Sequence, residues 1–307
     1  MQESLRYRGF PHCRHRPWIE RTLRGSSAVK IMIVGSGGML ARELARQWSS
    51  RHELIALTRQ ELDVSALEDV RGAVRSHAPD VVVNCAAYNR VDDAETHVED
   101  AYRVNALGPR NLAIAAEEQN AALVHFSTDY VFDGKKTTPY LEYDAVNPLG
   151  VYARSKVAGE TAVRDHCTRF FLVRVAWLVG HGGRNFVEAM LHAAREKGAV
   201  SVVTDQVGTP TFCADVARAL HTLLETRAFG LYHMTGNGSC SWFEFAEEIF
   251  RQADLNVSVT PTTMSAYARP APRPASTILR NLMLELTVGD TMPPWQESLR
   301  QYLSTRA

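Results

Sequence analysis

The 307-residue sequence has no surplus of either charge: 34 Lys and Arg stand against 34 Asp and Glu. Without a net field there is no electrostatic case for nucleic acid or a membrane surface as partner. Long apolar runs are also missing, and none reaches the roughly 18 residues of a membrane span. The five cysteines, Cys13, Cys85, Cys167, Cys213 and Cys240, make no C-x-x-C pair. That indicates neither a zinc site nor a disulfide framework. Cys85 lies in an apolar run and reads as core; a reduced, cytoplasmic setting is the simplest inference. Internal repeats and low-complexity segments are absent. What is there is an ordinary globular composition, 45% hydrophobic and 22% charged, enough for one large core or two modest ones.

Residues 1–28 look foreign to the rest. Arg6, Arg8, Arg14, Arg16, Arg21 and Arg24 accumulate there without an apolar period or an h-region. The stretch reads as a disordered extension, from translation beginning upstream of the natural start, or as a basic arm for a partner. Lys30–Val34 is then a β-branched strand, followed by Gly35-Ser-Gly-Gly38-Met-Leu-Ala41 and a helical pattern. In this G-x-x-G-x-x-A turn, Gly35 allows the tight bend, Gly38 lets the backbone approach a pyrophosphate, and Ala41 permits close helix–strand packing. The helix N-terminus supplies amides and partial positive charge for phosphates.

Glu53–Leu57 reads as the second strand and ends in Thr58-Arg59. An acid here would hold a ribose 2′-hydroxyl; an arginine suits a 2′-phosphate. Arg59, with no acid seen beside it, points to NADPH, the alternative being a solvated surface arginine. Ser65 is positioned to cap the next helix. A third strand runs from Asp80 to Asn84 and ends in small residues, and a helix is expected around Asp100 to Gln119. The fourth strand, from Leu123, delivers Ser127 and Thr128 to its carboxyl end. Thr128 alone could be an ordinary strand residue. Strand and helix alternate onward, which predicts an α/β fold with a doubly wound parallel sheet. Ser241 and Glu244 form a capping box, and Pro270–Pro274 excludes regular structure and lays Arg273 across a cleft or surface.

Asn147 to Lys156 carries the chemistry. A helix beginning at Gly150 stacks Tyr152 and Lys156 on one face, one turn apart. A lysine ammonium beside a phenol favours the phenolate and lowers its pKa, so that the pair can exchange a proton with a carbonyl oxygen being reduced. Tyr-x-x-x-Lys alone is a weak signal; its position after the glycine turn and the strand-end hydroxyls strengthens it.

Taken together, these motifs resemble the extended short-chain dehydrogenases/reductases and, within them, the dTDP-4-dehydrorhamnose reductase family. The shared features are the glycine turn, Val91-Asp-Asp-Ala-Glu95, Ser127-Thr-Asp-Tyr-Val-Phe-Asp-Gly134, Asn147-Pro148 through Gly159-Glu160, Asp205-Gln-Val-Gly-Thr-Pro-Thr211 and Ala271-Pro-Arg-Pro274. The resemblance runs from about Lys30 to the C-terminus. It implies a Rossmann domain over 29–176 and a smaller C-terminal α/β substrate-binding domain over 177–307, with segments crossing back. It implies Thr128, Tyr152 and Lys156 as the catalytic set. Gly35, Gly38, Met39, Leu40, Arg59, Asp63, Val64, Ala86, Ala87, Tyr88, Ser127, Tyr152 and Lys156 would hold NADPH, with NADH left open. Asn89, Val91, Thr128, Asp129, Tyr130, Trp177 and Arg273 would meet a dTDP-sugar whose C4 keto group is reduced.

The family pattern is not kept throughout. Asn89 stands where threonine is common, and Ala275-Ser276 and Leu279-Arg280 depart from the usual continuation after Arg273-Pro274. Some members bridge subunits with Mg²⁺ through glutamates; Glu43 matches one such position, but Cys213-Ala214 carries no acid. A homodimer is compatible with the resemblance. Two rivals stay open: another sugar-nucleotide reductase, epimerase or dehydratase, and a non-catalytic NADP-binding subunit like the regulatory subunit of methionine adenosyltransferase.

Overall fold

The computed structural model describes residues 28–267 and 269–306. The expectation for residues 1–28 thus falls almost wholly outside the described residues. The sheet is built from β1 (Lys30–Val34), β2 (Glu53–Leu57), β3 (Val81–Asn84), β4 (Ala122–Thr128), β5 (Phe170–Val175) and β6 (Gly230–His233). Its order is β6-β5-β4-β3-β1-β2, and every pairing is parallel. The chain turns outward from β1 to β2 and then in the other direction through β3, β4 and β5. The topological switch point therefore lies between β1 and β3, where ligands of open α/β sheets bind.

The strands read as continuous apolar runs because helices cover both faces. Period-two alternation divides β1: Ile31 and Ile33 enter one core, Met32 and Val34 the other. The first core packs against α1 (Met39–Trp48) and α7 (Cys213–Leu224), joined also by Trp48 Nε1 donating to the Ala217 carbonyl at 3.2 Å. The second packs against α2 (Leu67–His77), α4 (Gly108–Glu118) and α5 (Val151–His166). A third core belongs to the C-terminal part. There α6 (Phe186–Lys197), α8 (Trp242–Gln252) and α9 (Trp295–Ser304) enclose Val187, Leu191, Phe245, Ile249, Trp295 and Leu299. Strand β6 and α7, both C-terminal in sequence, nevertheless sit on the main sheet.

Three local expectations are corrected. Ser65 does not cap α2: the helix starts at Leu67, and the Ser65 amide and hydroxyl both donate to Asp63 in a local turn that captures the would-be cap. The helix expected around Asp100 to Gln119 is broken into α3 (Val98–Tyr102), a π-turn at Arg103–Leu107 and α4. The extra residue of the π-turn swings Asn105 inward. Cys85 is half-buried at the rim of the first core rather than inside it. The Ser241–Glu244 capping box and the irregular course of Pro270–Pro274 are as expected.

Two close approaches fix α5, the helix that carries Tyr152. Gly159 lies so near the π-turn leading into α4 that an added Cβ would collide with the Asn105 carbonyl oxygen. Next to it Glu160 makes a two-pronged bond to Arg174 on β5, at 2.9 and 2.7 Å.

Candidate active site

The floor of the crevice is formed at the switch point. Gly35 has φ +76°, and its amide and that of Ser36 donate to the Leu57 carbonyl. A Cβ at Gly35 would lie 2.6 Å from the Ala86 nitrogen, so the turn and the end of β3 touch directly. Ala86 is held by Asn84, whose Oδ1 accepts from its amide at 3.0 Å while Nδ2 meets His125 Nδ1 at 3.1 Å. Burial, with the Lys156 charge second, keeps His125 well below its ordinary pKa, so this support is neutral. Helix α1 opens at Met39 and Leu40 behind Gly38, and no side chain caps it. Its first-turn amides point out of the helix end with the positive end of the dipole, which suits a diphosphate.

Around this floor stand the other residues expected to meet a dinucleotide. Val64 is buried, and its carbonyl accepts from Asn111, while Asp63 is exposed and bound to Ser65. Ala87 is exposed; Tyr88 is buried, with its amide and carbonyl both clamped by Asn105. Arg59 is exposed at the end of β2. The absence of an acid there is corrected: Glu61 folds back so that its carboxylate accepts from the Thr58 amide and hydroxyl, each at 2.8 Å. These bonds hold its carboxyl below the usual range.

The reactive groups converge at the end of β4. Thr128 Oγ1 accepts from the Tyr130 amide at 3.2 Å and donates to Asp129 at 3.0 Å. Ser127 Oγ is buried with no protein partner. Tyr152, in the first turn of α5, is half-buried and meets Tyr130 edge to face, with centroids 6.1 Å apart. Lys156 is buried one turn on, and its Nζ donates to the Phe126 carbonyl at 2.7 Å.

One electrostatic expectation is overturned here. Lys156 does not lower the Tyr152 pKa. Desolvation pushes the phenol above its ordinary value; a hydrogen bond with Thr128 works the other way, and the Asp129 carboxylate adds to the rise. The lysine charge is spent on a backbone carbonyl, and its own burial lowers its pKa to about 8. Tyr152 is therefore a protonated phenol throughout the neutral range, a proton donor rather than a standing phenolate.

The motif Val91–Glu95 ties the surroundings together. Asp92 takes both prongs of Arg273 at 2.9 Å, with Arg269 at 3.6 Å and the Ala271 amide at 3.2 Å. Tyr88 donates to Asp93 at 2.9 Å. Glu95 accepts from the Val151 amide at 2.7 Å, so it caps the helix of Tyr152 across 56 residues of sequence. Asn89 is exposed and Val91 half-buried beside this cluster.

A cavity of about 680 Å³ opens next to Tyr130, lined among others by Phe186, Gln206, Trp242, Arg269 and Arg273. Trp177, with a left-handed φ of +43°, stacks against Trp242 at 3.5 Å, and Trp242 is the ring that lines the cavity. Gln206 links the two sides, accepting from Trp242 Nε1 at 3.1 Å and donating to the Tyr130 hydroxyl at 3.4 Å. The site thus brings together Thr128, Asp129, Tyr130, Tyr152 and Lys156, with Arg273 at its outer wall. Asn105, Gln206, Trp242, Arg269 and Thr277 were missed in sequence. Gln206 stood inside the shared Asp205–Thr211 motif, and Asn105 left a signal as an amide in a helical run where such residues compete with the backbone.

At Glu43, where the resemblance suggests a subunit-bridging Mg²⁺, both carboxylate oxygens are taken, by Arg46 at 2.9 and 2.6 Å and by Gln47 at 2.7 Å. Among the described residues no group of three or more His, Cys, Asp or Glu is arranged to hold a metal. A dinucleotide does fit: the unpartnered Ser127 hydroxyl, the uncapped helix end and the Gly35–Ala86 contact are what such a ligand would use.

Comparisons with known proteins agree in kind. The family described as RmlD substrate binding domain matches residues 29–307. A spore coat polysaccharide biosynthesis protein of Bacillus subtilis is 38% identical, over 91% of this chain and 98% of that protein. A dTDP-4-dehydrorhamnose reductase of Aggregatibacter actinomycetemcomitans is 38% identical, over 88% and 97%. The crystal structure of dTDP-4-dehydrorhamnose reductase from Bacillus anthracis in complex with NADP superimposes with a TM-score of 0.90 at 36% identity, covering 91% of this chain and all of that one.

Proposed function

The chain belongs to the RmlD substrate binding domain family, and on that premise we propose that it reduces the C4 keto group of dTDP-4-dehydro-L-rhamnose with NADPH, giving dTDP-L-rhamnose. The observation that carries the reading is the convergence of Tyr152, packed edge to face on Tyr130, with the Thr128 hydroxyl at the carboxyl end of β4, one helical turn from a buried Lys156. When bound, the nicotinamide supplies the hydride that reaches C4. Tyr152 holds the proton for the oxygen that becomes an alkoxide, and Thr128 offers that oxygen a second hydroxyl contact. On this reading Lys156, Ser127 and the backbone at Ala86–Tyr88 serve the cofactor ribose and diphosphate, with Gly35, Gly38, Met39 and Leu40 at the pyrophosphate and Asp63 and Val64 toward the adenine. Asn89, Val91, Asp129, Tyr130, Trp177 and Arg273 are assigned to the sugar nucleotide, and the 680 Å³ cavity, with Arg269 and Arg273 on its wall, suits its diphosphate. A cytoplasmic location and a homodimer go with this reading. No helix among the described residues is long and apolar enough to cross a membrane.

The deciding experiment is NADPH consumption with dTDP-4-dehydro-L-rhamnose. Steady loss of absorbance at 340 nm with formation of dTDP-L-rhamnose is expected. Tight NADPH binding with no turnover would instead favour the non-catalytic subunit.

Cofactor choice gives a further expected outcome. A guanidinium pairs well with a 2′-phosphate, while the exposure of Arg59 holds the gain down. Roughly a tenfold preference for NADPH over NADH follows. Replacing Arg59 with Ala should lower kcat/KM for NADPH and leave NADH almost untouched. Equal loss with both cofactors, or none, would make Arg59 a plain surface residue.

A further inference from the structure

Thr277 lies in the stretch after Pro274 where the chain departs from the family pattern. It is 2% exposed. Backbone bonds pin it in place: Val207 donates to the Ala275 carbonyl at 2.8 Å, and the Thr277 amide donates to the Val207 carbonyl at 3.0 Å. From there its hydroxyl donates to Asp129 Oδ2, while Thr128 donates to Oδ1 of the same carboxylate. Asp129 is itself 3% exposed. One buried carboxylate thus takes a hydroxyl proton from each side, one from the reactive strand end and one from 148 residues further along the chain.

The chemistry of a hydroxyl makes this arrangement consequential. Thr128 has a single proton to give. While that proton serves Asp129, it cannot serve a carbonyl oxygen between Thr128 and Tyr152. Turning it toward such an oxygen strips a buried carboxylate of a donor, which is costly unless another remains. Thr277 is the side-chain donor that remains.

We propose that Thr277 is a positioning residue for the reduction: by holding Asp129 as an ionised acceptor, it frees the one proton of Thr128 for the C4 oxygen of the substrate. The proposal rests on the reductase reading for its substrate, though not for the state of Asp129. Burial pushes the Asp129 pKa up, and the bonds from Thr277, then Thr128, then the backbone at Asp129 and Tyr130 restrain the rise, leaving it at about 6. The titratable groups facing it are Tyr130 on its own turn and Tyr152 on α5. Arg273, on the same segment as Thr277, acts on Tyr130. Losing the Thr277 hydroxyl removes a bond to the charged form, so the Asp129 pKa must rise further. At pH 7 more of it is then protonated, and the acid limb of activity moves to higher pH.

The test compares wild type with Thr277→Val and Thr277→Ser. Two readouts are taken: kcat and KM from pH 5 to 9 with NADPH and the ketosugar, and the titration of Asp129 in resting protein by ¹³C NMR of carboxyl-labelled aspartate, the signal assigned by its loss in Asp129→Asn. Thr277→Val should move the Asp129 midpoint and the acid limb up by about one pH unit. It should lower kcat about tenfold at pH 7, less than outright loss of an oxyanion donor, with KM within about twofold. Thr277→Ser should restore both. A merely structural role would lower the melting temperature without moving the midpoint. An unmoved midpoint in Thr277→Val, or a Thr277→Ser variant that behaves like Thr277→Val, overturns the proposal. Should Thr277→Val not fold, Thr277→Ala removes the same hydroxyl and is judged by the same midpoint. If wild type fails to oxidise NADPH with the ketosugar, the reductase reading falls, and the Asp129 titration alone decides the role of Thr277.

Discussion

Replacing Tyr152 with Phe should lower kcat for the reduction by about 10²–10⁴-fold, the usual share of a general acid, and leave NADPH affinity unchanged. The substitution removes one oxygen from a half-buried ring and keeps the edge-to-face contact with Tyr130. What is lost is the proton. Desolvation holds the phenol protonated well past neutrality, so wild type should show no alkaline loss from Tyr152 itself near pH 8. Stopped-flow measurement of a single turnover, with NADPH binding followed by fluorescence, separates the two quantities. A variant with wild-type kcat would remove Tyr152 from the proton-transfer role, and parallel losses in kcat and NADPH affinity would make it a cofactor-binding residue instead.

The largest effect on stability should come from Arg174→Met, which is expected to lower the unfolding free energy by about 3–5 kcal/mol. Arg174 and Glu160 are 1% and 3% exposed at the side chain. Besides its two bonds to Glu160, the guanidinium lies over the Phe132 ring, 5.1 Å from its centroid, and donates to the Glu142 carbonyl. Removing it leaves the buried Glu160 carboxylate with only the long contact to Arg164 at 3.5 Å, and a poorly paired interior charge is costly. The second substitution Glu160→Leu should therefore recover much of the loss, because two apolar groups replace the pair together. Urea denaturation of wild type, the single variant and the double variant measures this. A single variant within about 1 kcal/mol of wild type, or a double variant worse than the single, would contradict it. Since this pair seats α5 on the sheet, kcat should fall with stability only when the helix carrying Tyr152 loosens.

Much of the dinucleotide-binding half was legible in sequence because its signals are local. The apolar runs of β1 and β3, the glycine turn at Gly35–Ala41 and the capping box at Ser241 each depend on a few neighbouring residues, and each stands in the structure where sequence put it. The placement of Tyr152 and Lys156 on one helix follows from the four-residue spacing alone. Where local rules competed, sequence misled. Ser65 was captured by Asp63 instead of capping a helix, and Asn105 turned a continuous helix into a π-turn to reach the backbone of Tyr88.

The sequence by itself therefore determined the sheet, its glycine turn and the presence of the Thr128 and Tyr152 hydroxyls at the strand end and the following helix, since these are set by side-chain period and short-range backbone chemistry. Tertiary structure alone decided their electrostatic state. Whether Lys156 charges Tyr152 depends on what else the ammonium can reach, and the Phe126 carbonyl, 30 residues away in sequence, takes it. The clasp of Arg273 on Asp92, the cap of Glu95 on α5 and the second donor that Thr277 gives Asp129 likewise join residues 181, 56 and 148 positions apart. No spacing rule spans such distances, because burial and a pairing partner exist only once the chain has folded.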